Sequence, residues 1–274
     1  MLLQGEMQEL KFIHSTSNPD APVAYCSFTA MHTVIECLFV DRDRRHADMT
    51  SKRILELVEG LERSLSRHFV NGSLYQFNES TDFTSVDEDL YMSLELCEQM
   101  RAATEGFFDI AALCPSRERP AYHTLPRTHS AKRVSNDIFL DLGGFAKGYA
   151  AEKVRTMMTG EGIVSALLNF GNSTVAGIGH HPLGEYWIVT PAEGDNHDFH
   201  LRDSALSISG RTSGGMEHIV DPHTMRFSGK DGMIAVTGRS ALVCEILSTG
   251  LYAAPEDRHE YIMRQFPNYT THRL

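Results

Sequence analysis

Cationic residues, cysteine and long apolar runs are all scarce in this sequence of 274 residues. Lys and Arg number 25 against 36 Asp and Glu, so the formal net charge is −11. Chains that bind a phosphate backbone or an anionic membrane normally carry a basic excess, so we expect no nucleic-acid partner. No segment reaches the roughly 20 apolar residues that a transmembrane helix needs. An anionic ligand must therefore be bound locally, by backbone amides, a few cations or a metal ion.

Cysteine is too sparse to hold the fold together. There are five cysteines, and no two of them are spaced as Cys-x-x-Cys. This odd count argues against a disulfide framework and against a structural zinc site, so we expect buried, reduced thiols. The thiols belong to Cys26, Cys37, Cys97, Cys114 and Cys244.

The overall composition is that of an ordinary globular chain. Hydrophobic residues make up 42% and charged residues 22%, which excludes a disordered chain, a collagen and a coiled coil. The first residues, MLLQGEMQELKF, lack the basic and apolar segments of a signal peptide. We therefore expect a cytoplasmic protein, or a periplasmic or membrane-anchored protein if a leader segment precedes these residues.

Apolar patterning predicts a mixture of strands and helices that do not alternate strictly. Strands are predicted over residues 22–40, 138–142, 164–170, 186–189, 205–209 and 233–236. Helices are predicted from a cap at Thr50 or Ser51 to Leu65, from a capping box at Ser85 and Glu88 to before Gly106, from the glycines after residue 142 to Gly160, and over residues 240–252. This order predicts an α+β or mixed-sheet fold and not a doubly wound one.

Two polar regions are interpreted as surface loops. Residues 114–136 are rich in Pro, Arg, His and Ser, and we interpret them as a loop insertion, either ordered or mobile. The pairs His180-His181 and His197-x-x-His200 resemble metal ligands, but they lie among Gly and acidic residues. A loop without a metal ion is the simpler explanation for these histidines.

The clearest local motif is DLGGFAKGYAAEKV, residues 141–154. A predicted strand enters two glycines and then a helix that carries Lys147 in its first turns. Glycine lets a ligand approach the backbone, and a helix N-terminus supplies unpaired amides and positive potential. The motif suits a phosphate or pyrophosphate, although it matches neither the P-loop nor GxGxxG. On composition alone, a plain strand–turn–helix corner with Lys147 in solvent is the simpler explanation.

A second candidate site lies in the last predicted helix, RSALVCEILSTGLYAA. Glu245 is the only carboxylate in this apolar stretch, and a buried carboxylate is costly unless it has a partner. Thr249 follows one turn later on the same face. A carboxylate and a hydroxyl are hard oxygen ligands that favour Mg²⁺ over Zn²⁺. An exposed Glu245, with Thr249 bonded back to the helix carbonyls, explains the same residues equally well.

A third motif is GRTSGGMEHIVDPHTMRF, residues 210–227. Its Ser213-Gly214-Gly215 segment is suited to wrap a ligand, and Asp221 with the following proline ends a strand in a turn. His218 precedes that turn, where an imidazole would serve as a general base at neutral pH, although a lone histidine is more often structural. The segment FGNST, residues 170–174, would bind an anion or begin a turn.

Taken in order, these blocks resemble the FAD:protein FMN transferase family, also called ApbE-like. The family blocks DLGGIAKGYA, NLGGN, HIIDPRTG and ADALAT are similar to residues 141–150, 169–173, 218–224 and 244–249. The family's TDGAFD resembles residues 104–109, its MGT resembles residues 30–33, and the spacing of its LSRFDPDSELSRLN is kept over residues 65–78. The resemblance spans roughly residues 29–254. It implies one T-fold-like domain over residues 1–274, an α+β fold with mixed, largely antiparallel sheets packed with helices.

The resemblance also implies a reaction. Such enzymes move FMN from FAD to a Thr or Ser of a partner flavoprotein and release AMP. The alternatives are a metal-dependent FAD pyrophosphatase and a divergent FAD binder that does not transfer. By the resemblance, Glu245, Thr249 and the main-chain oxygen of Ala146 would hold Mg²⁺, and His218 would be the catalytic base. The residues implied to bind FAD are Met31, Thr33, Asn78, Asp109, Gly143, Gly144, Lys147, Gly171, Ser213, Gly214 and Asp221.

Several positions depart from the family blocks. The family aspartate of the late helix is Glu245, which is one methylene longer. His32 stands at the glycine of MGT, and Asn172 stands at the second glycine of NLGGN. Gly72 and Ser73 stand where the family has its early Ser-Glu pair.

Overall fold

A computed structural model describes residues 9–114, 116, 118–191, 197–210 and 219–274. The helices within these ranges are Arg44–Leu65 (α1), Ser73–Glu79 (α2), Glu88–Ala103 (α3), Ala146–Gly160 (α4), Ala241–Ala253 (α5) and Glu256–Met263 (α6). In this part of the chain, none of the helices combines the length and the apolar character that crossing a membrane requires.

The strands are short and numerous. They are Lys11–Ser15 (β1), Val23–Ala30 (β2), Thr33–Val40 (β3), Thr84–Ser85 (β4), Tyr122–Leu125 (β5), Ser130–Arg133 (β6), Ala166–Phe170 (β7), Thr174–Ile178 (β8), Trp187–Val189 (β9), Phe199–Leu201 (β10), Ala205–Gly210 (β11), Val220–Asp221 (β12), Arg226–Phe227 (β13), Met233–Gly238 (β14) and Thr270–Arg273 (β15).

One large sheet organises the fold. Its strand order is β1-β2-β3-β7-β8-β11-β14-β15, and smaller sheets have the orders β10-β9, β12-β13 and β4-β6-β5. Every pairing between the described strands is antiparallel. This arrangement confirms the predicted α+β class with largely antiparallel sheets.

Helices cover one face of the large sheet. Along β3, Ile35, Cys37 and Phe39 are fully buried while Val34 is 53% exposed, which is the alternation of a strand with one face in a core. The helices that pack on the buried face are α1, α4 and α5. The β9–β10 hairpin covers part of the opposite face, where Trp187 packs in a second, smaller core. The five cysteines are all buried and free, as the sequence predicts.

The first two long helices begin at different caps from those predicted. Helix α1 begins after Asp43, whose carboxylate accepts the Arg45 amide, and the Thr50 hydroxyl instead donates to Glu161. Helix α3 begins after Asp87, whose carboxylate accepts the Leu90 amide. The predicted caps at Thr50, Ser51 and Ser85 are therefore wrong, because an aspartate nearby supplies the better acceptor in each case. The helix predicted over residues 240–252 is confirmed, and the Ser240 hydroxyl caps it by accepting the Val243 amide at the start of α5.

The loop predicted at residues 114–136 contains regular secondary structure. It contains β5 and β6, which form a hairpin that pairs with β4. Tyr122 is buried, and its hydroxyl donates to the Leu94 carbonyl at 2.7 Å. The prediction of a loop is therefore wrong for β5 and β6, because a few buried residues such as Ala131 anchor a stretch whose composition is otherwise polar.

The strand predicted at residues 138–142 is not part of any sheet. The segment is extended and buries Ile138, Leu140 and Leu142, but its backbone pairs with a side chain. Asn78 accepts the Leu140 amide at 2.8 Å and donates to the Leu140 carbonyl at 2.9 Å. The amide group of Asn78 thus takes the place of a neighbouring strand, and it fixes the backbone that leads into α4.

We predict that Asn78→Ala lowers the free energy of unfolding by about 1–3 kcal/mol, because it leaves the two buried backbone groups of Leu140 without partners. Urea denaturation measures the change, and Asn136→Ala, at an exposed position in the turn before this segment, is the matched control. If Asn78→Ala unfolds at the same urea concentration as the unmodified protein, Asn78 does not hold the segment in place.

Candidate active site

A cavity of about 620 Å³ lies where several of the sequence motifs meet, and this volume is typical of a site for a small ligand. Loops, turns and helix ends that are far apart in the sequence form its walls. The lining residues that matter below are Phe107, Asp109, Asp141, Gly143, Gly144, Lys147, Gly171, Asn172, Ser209, Glu245 and Thr249. The structure therefore brings together five of the predicted FAD-binding residues and two of the predicted metal ligands.

The N-terminus of α4 reaches this cavity and is capped from another helix. Phe145 occupies the N-cap position and makes no side-chain cap, so the first amides of α4 need other acceptors. Glu245 on α5 supplies one, because its Oε2 accepts the amide hydrogen of Gly148. A Cβ at Gly148 would lie 2.7 Å from that oxygen and 2.8 Å from the Leu242 Cα. Glycine is required at this position because the two helices approach so closely.

The second oxygen of Glu245 bonds to Lys147. The Lys147 Nζ lies 3.0 Å from Oε1, and both side chains line the cavity. Glu245 is 3% exposed, so an exposed glutamate is ruled out. Lys147 is likewise not a free solvent lysine, since its side chain is 23% exposed and its ammonium compensates a buried carboxylate.

Thr249 lies one turn beyond Glu245 and faces the same cavity. Its hydroxyl is 3.3 Å from the Ser209 hydroxyl of β11. A Cβ at Gly144 would lie 3.1 Å from the Thr249 methyl and 3.3 Å from its hydroxyl, so the glycine turn packs directly against this threonine. The turn before α4 and the inner face of α5 therefore form one continuous wall.

The oxygen donors at this wall are of the kind that Mg²⁺ prefers. The third predicted ligand, Ala146, is not among the cavity-lining residues. It lies in the chain between Gly144, which packs on Thr249, and Gly148, which packs on Glu245. Within the described ranges, no three His, Cys, Asp or Glu side chains are grouped to hold a metal ion. Each oxygen of Glu245 has one protein partner and a second lone pair, so the residues fit a divalent ion, which at Oε1 would lie close to the Lys147 ammonium.

A thiol beside Glu245 is not an alternative ligand. Cys244 is fully buried, and burial raises the pKa of its thiol well above the ordinary value. The thiol therefore stays protonated at neutral pH, whereas a metal ligand must be a thiolate.

Two further acids line the cavity, and each has an arginine partner. The Arg119 Nε lies 2.6 Å from an oxygen of Asp109, and the Arg67 Nε lies 3.1 Å from an oxygen of Asp141. The remaining oxygen of Asp141 accepts the Gly143 amide and so shapes the glycine turn. The sequence motifs alone predict no role for Arg67, Arg119 or Asp141. Asp141 was detectable as the first residue of its motif, but no sequence signal marks Arg119 within its polar segment.

The turn after β7 forms another part of the wall. Gly171 and Asn172 both have left-handed backbone angles, with φ of +68° and +58°. The Asn172 amide donates to the Asn169 side chain at 3.0 Å. Asparagine is among the few residues that tolerate this conformation, so the turn persists without the family's second glycine.

Four of the described residues that are predicted to bind FAD lie outside the cavity lining: Met31, Thr33, Asn78 and Asp221. A Cβ at Gly171 would overlap the Thr33 side chain, so Thr33 packs behind the turn. The Met31 amide donates to Glu62 at 2.9 Å, and Asn78 bonds to the Leu140 backbone. These residues support the walls of the cavity and do not form its surface in this structure.

The motif at residues 210–227 is described only in part. The predicted residues Ser213, Gly214 and His218 lie outside the described residues. Gly210 and Ile219, which flank the undescribed segment, both line the cavity. Asp221 accepts the Thr224 hydroxyl at 2.9 Å and shapes a turn whose neighbours Val220 and Pro222 are lining residues.

An aromatic contact at the rim was not predicted. Phe107 lines the cavity, and its ring centroid lies 4.4 Å from that of His223. The His223 Nε2 lies 3.0 Å from the Glu105 carbonyl, and Arg258 forms an ion pair with the Glu105 carboxylate. These contacts fix the loop that carries Phe107 and Asp109 into the site.

Solved structures of low sequence identity share this fold. The flavin transferase ApbE from Vibrio cholerae is 16% identical, with a TM-score of 0.74 and 97% of each chain covered. The flavinyl transferase ApbE from Pseudomonas stutzeri, in its apo form, is 14% identical, with a TM-score of 0.76, 99% of this chain covered and 97% of the other. The ApbE protein from Thermotoga maritima is 18% identical, with a TM-score of 0.74 and 97% of each chain covered.

The sequence comparisons agree with the resemblance of the motifs. A search of curated protein sequences finds no match. The sequence profile of the ApbE family, however, matches residues 31–271, which include every described lining residue of the cavity. This chain therefore belongs to the ApbE family.

Proposed function

We propose that this protein is an Mg²⁺-dependent flavin transferase that moves FMN from FAD to a Thr or Ser of a partner flavoprotein. One observation carries the proposal: a single cavity joins the glycine turn, the start of α4 with Lys147, and the Glu245–Thr249 wall of α5. Family membership and the fold shared with named flavin transferases support the same reaction.

The diphosphate of FAD would lie at the N-terminus of α4. Gly143 and Gly144 let phosphate oxygens approach the backbone there, and the helix dipole and Lys147 favour negative charge. Glu245, Thr249 and the main-chain oxygen of Ala146 would hold Mg²⁺, which when bound neutralises charge on the diphosphate. The cavity wall formed by Phe107, Leu113, Ile208, Ile219, Val220 and Pro222 is apolar enough to accept an aromatic ring system.

The transfer is a displacement at phosphorus. The hydroxyl oxygen of the acceptor Thr or Ser forms a bond to the FMN phosphorus, and the bridging P–O bond to AMP breaks. His218 would take the proton of the acceptor hydroxyl, and AMP would leave with the bridging oxygen. Asp109 and Asp141, each held by its arginine, would keep the loop and the glycine turn in position around the reacting groups.

We expect AMP and a flavin-labelled product when the protein is incubated with FAD, Mg²⁺ and a peptide that contains a Thr acceptor. AMP is followed by chromatography and the labelled peptide by mass spectrometry. A peptide with Val in place of that Thr is the control, and EDTA should stop the reaction.

Other products would indicate another function. Free FMN and AMP without any acceptor would identify a pyrophosphatase. Tight FAD binding without AMP would identify a binding protein.

We predict that Glu245→Gln lowers the rate of AMP release by on the order of 100-fold, because the neutral amide no longer attracts a cation to the diphosphate. Steady-state kinetics at saturating Mg²⁺ measures the loss. Glu260→Gln, at an exposed ion pair on α6, should keep the full rate. An unchanged rate for a folded Glu245→Gln protein would remove Glu245 from the mechanism.

We predict that His218→Asn lowers the rate of transfer by about 10²–10⁴-fold, the usual contribution of a general base, and leaves FAD affinity nearly unchanged. Flavin fluorescence measures binding, and AMP release measures transfer. His123→Asn, an exposed histidine on β5, is the control. If transfer continues at the full rate without the imidazole, another group must accept the proton.

A further inference from the structure

The charge of Glu245 is already compensated by a protein group in this structure. Its carboxylate is almost fully buried, with Oε2 bonded to the Gly148 amide and Oε1 bonded to the Lys147 ammonium at 3.0 Å. A buried carboxylate without a partner would be strongly destabilising, so the lysine satisfies a requirement of the fold. The same oxygen is the one that a divalent ion would need.

We propose that Lys147 and the divalent ion compete for Glu245, so that Lys147 holds the carboxylate while the ion is absent and is released into the cavity when the ion binds. This inference rests on the proposed function and adds a positioning role for Lys147 to it. Lys147 acts here through Glu245 and is not itself an ion ligand.

The competition follows from the geometry of the carboxylate. Oε2 is fixed by the first turn of α4, whereas the partner of Oε1 is a side-chain ammonium that is able to move away. A magnesium ion sits at about 2.0–2.1 Å from its oxygen ligands. An ammonium that stays 3.0 Å from the same oxygen would then lie close to a doubly charged cation, where like charges repel strongly. The repulsion between the two cations therefore makes binding of one at Oε1 unfavourable for the other.

The Lys147 side chain has room to move away from Glu245. Its side chain is flexible, partly exposed and already lines the cavity, so rotation about its own bonds moves the ammonium away from Oε1. The two other acids of the described lining, Asp109 and Asp141, are bound by Arg119 and Arg67. A released ammonium therefore meets no unpaired carboxylate among the described lining residues, and an anion in the cavity is its natural partner.

Ion binding would then bring two positive groups to the cavity, the ion itself and the ammonium that it releases from Glu245. In the ion-free state the charges of the lysine and the glutamate cancel each other, so Lys147 adds little to the attraction that the N-terminus of α4 offers to a diphosphate. After the exchange the ion is paired with Glu245 and the ammonium is free to bind a phosphate oxygen. The ion and an anionic ligand should therefore bind cooperatively, and linkage makes that effect reciprocal.

The test measures ion binding without FAD and without turnover. Mn²⁺ replaces Mg²⁺ as the probe, and electron paramagnetic resonance measures the free ion. We expect Lys147→Met to bind Mn²⁺ about tenfold more tightly than the unmodified protein, because the competing ammonium is gone. Lys153→Met is the matched control: Lys153 lies on the same helix, pairs with Asp89 at 2.8 Å and does not line the cavity, so its loss should not change Mn²⁺ affinity.

Folding is the main risk of the first variant, because methionine leaves the buried carboxylate without its cation. Lys147→Gln is the second variant, since its amide keeps a hydrogen bond to Oε1 without a charge. It should also bind Mn²⁺ more tightly, and Mn²⁺ should raise the unfolding temperature of both variants more than that of the unmodified protein. Equal or weaker Mn²⁺ binding by a folded Lys147→Gln protein overturns the inference.

The outcomes separate this inference from the proposed function. If the unmodified protein transfers FMN with Mg²⁺ but neither Lys147 variant binds Mn²⁺ more tightly, the competition is wrong and the transferase stands. If Glu245→Gln binds Mn²⁺ as well as the unmodified protein does, the ion is held elsewhere and the competition is again wrong. If no variant binds Mn²⁺ and AMP is released in EDTA, both the competition and the metal dependence are overturned.

Discussion

The site depends on one buried carboxylate that joins two helices. Glu245 caps the N-terminus of α4 from within α5 and neutralises Lys147 at the same time. The contact requires the close helix approach that Gly148 permits. If α4 were moved away, the glycine turn before it would no longer pack on Thr249, and the wall of the cavity would be lost. Fold and site are thus stabilised by the same interaction.

Each acidic side chain in the described lining of the cavity is paired with a cationic side chain close to it. Arg67, Arg119 and Lys147 each take one of the three carboxylates, so a chain with a net charge of −11 still presents a locally balanced site. Local pairing matters more than net charge for a small anionic ligand, because salt screens distant surface charges over about 8–10 Å. The pairing also means that a strongly anionic ligand needs extra positive charge when it binds.

Part of this architecture is predictable from short residue patterns in the sequence. Neighbouring residues encode the glycine turn with α4 and the position of α5, and the structure confirms both predicted helices. The sequence left open whether Glu245 is buried, because the answer depends on how closely α4 approaches α5. The pairing of Asn78 with Leu140 was not predicted, because these residues are 62 positions apart in the sequence. The local pattern predicts a strand there, and the contact with Asn78 replaces the pairing of that strand. Errors at the starts of α1 and α3 arose because several polar residues competed as caps within a few positions.

The departures from the family blocks are easier to interpret with the structure than without it. Asn172 and His32 stand at glycine positions, and both adopt positive φ angles, +58° and +59°, so the turns keep the backbone path that glycine would allow. Glu245 differs from the family aspartate in length, because its extra methylene lets the carboxylate extend farther from the helix backbone. With α4 and α5 at the same separation, an aspartate would end one methylene short of the Gly148 amide and the Lys147 ammonium. The longer acid can therefore bind both groups, which is why we infer that this chain couples ion binding to the release of its lysine.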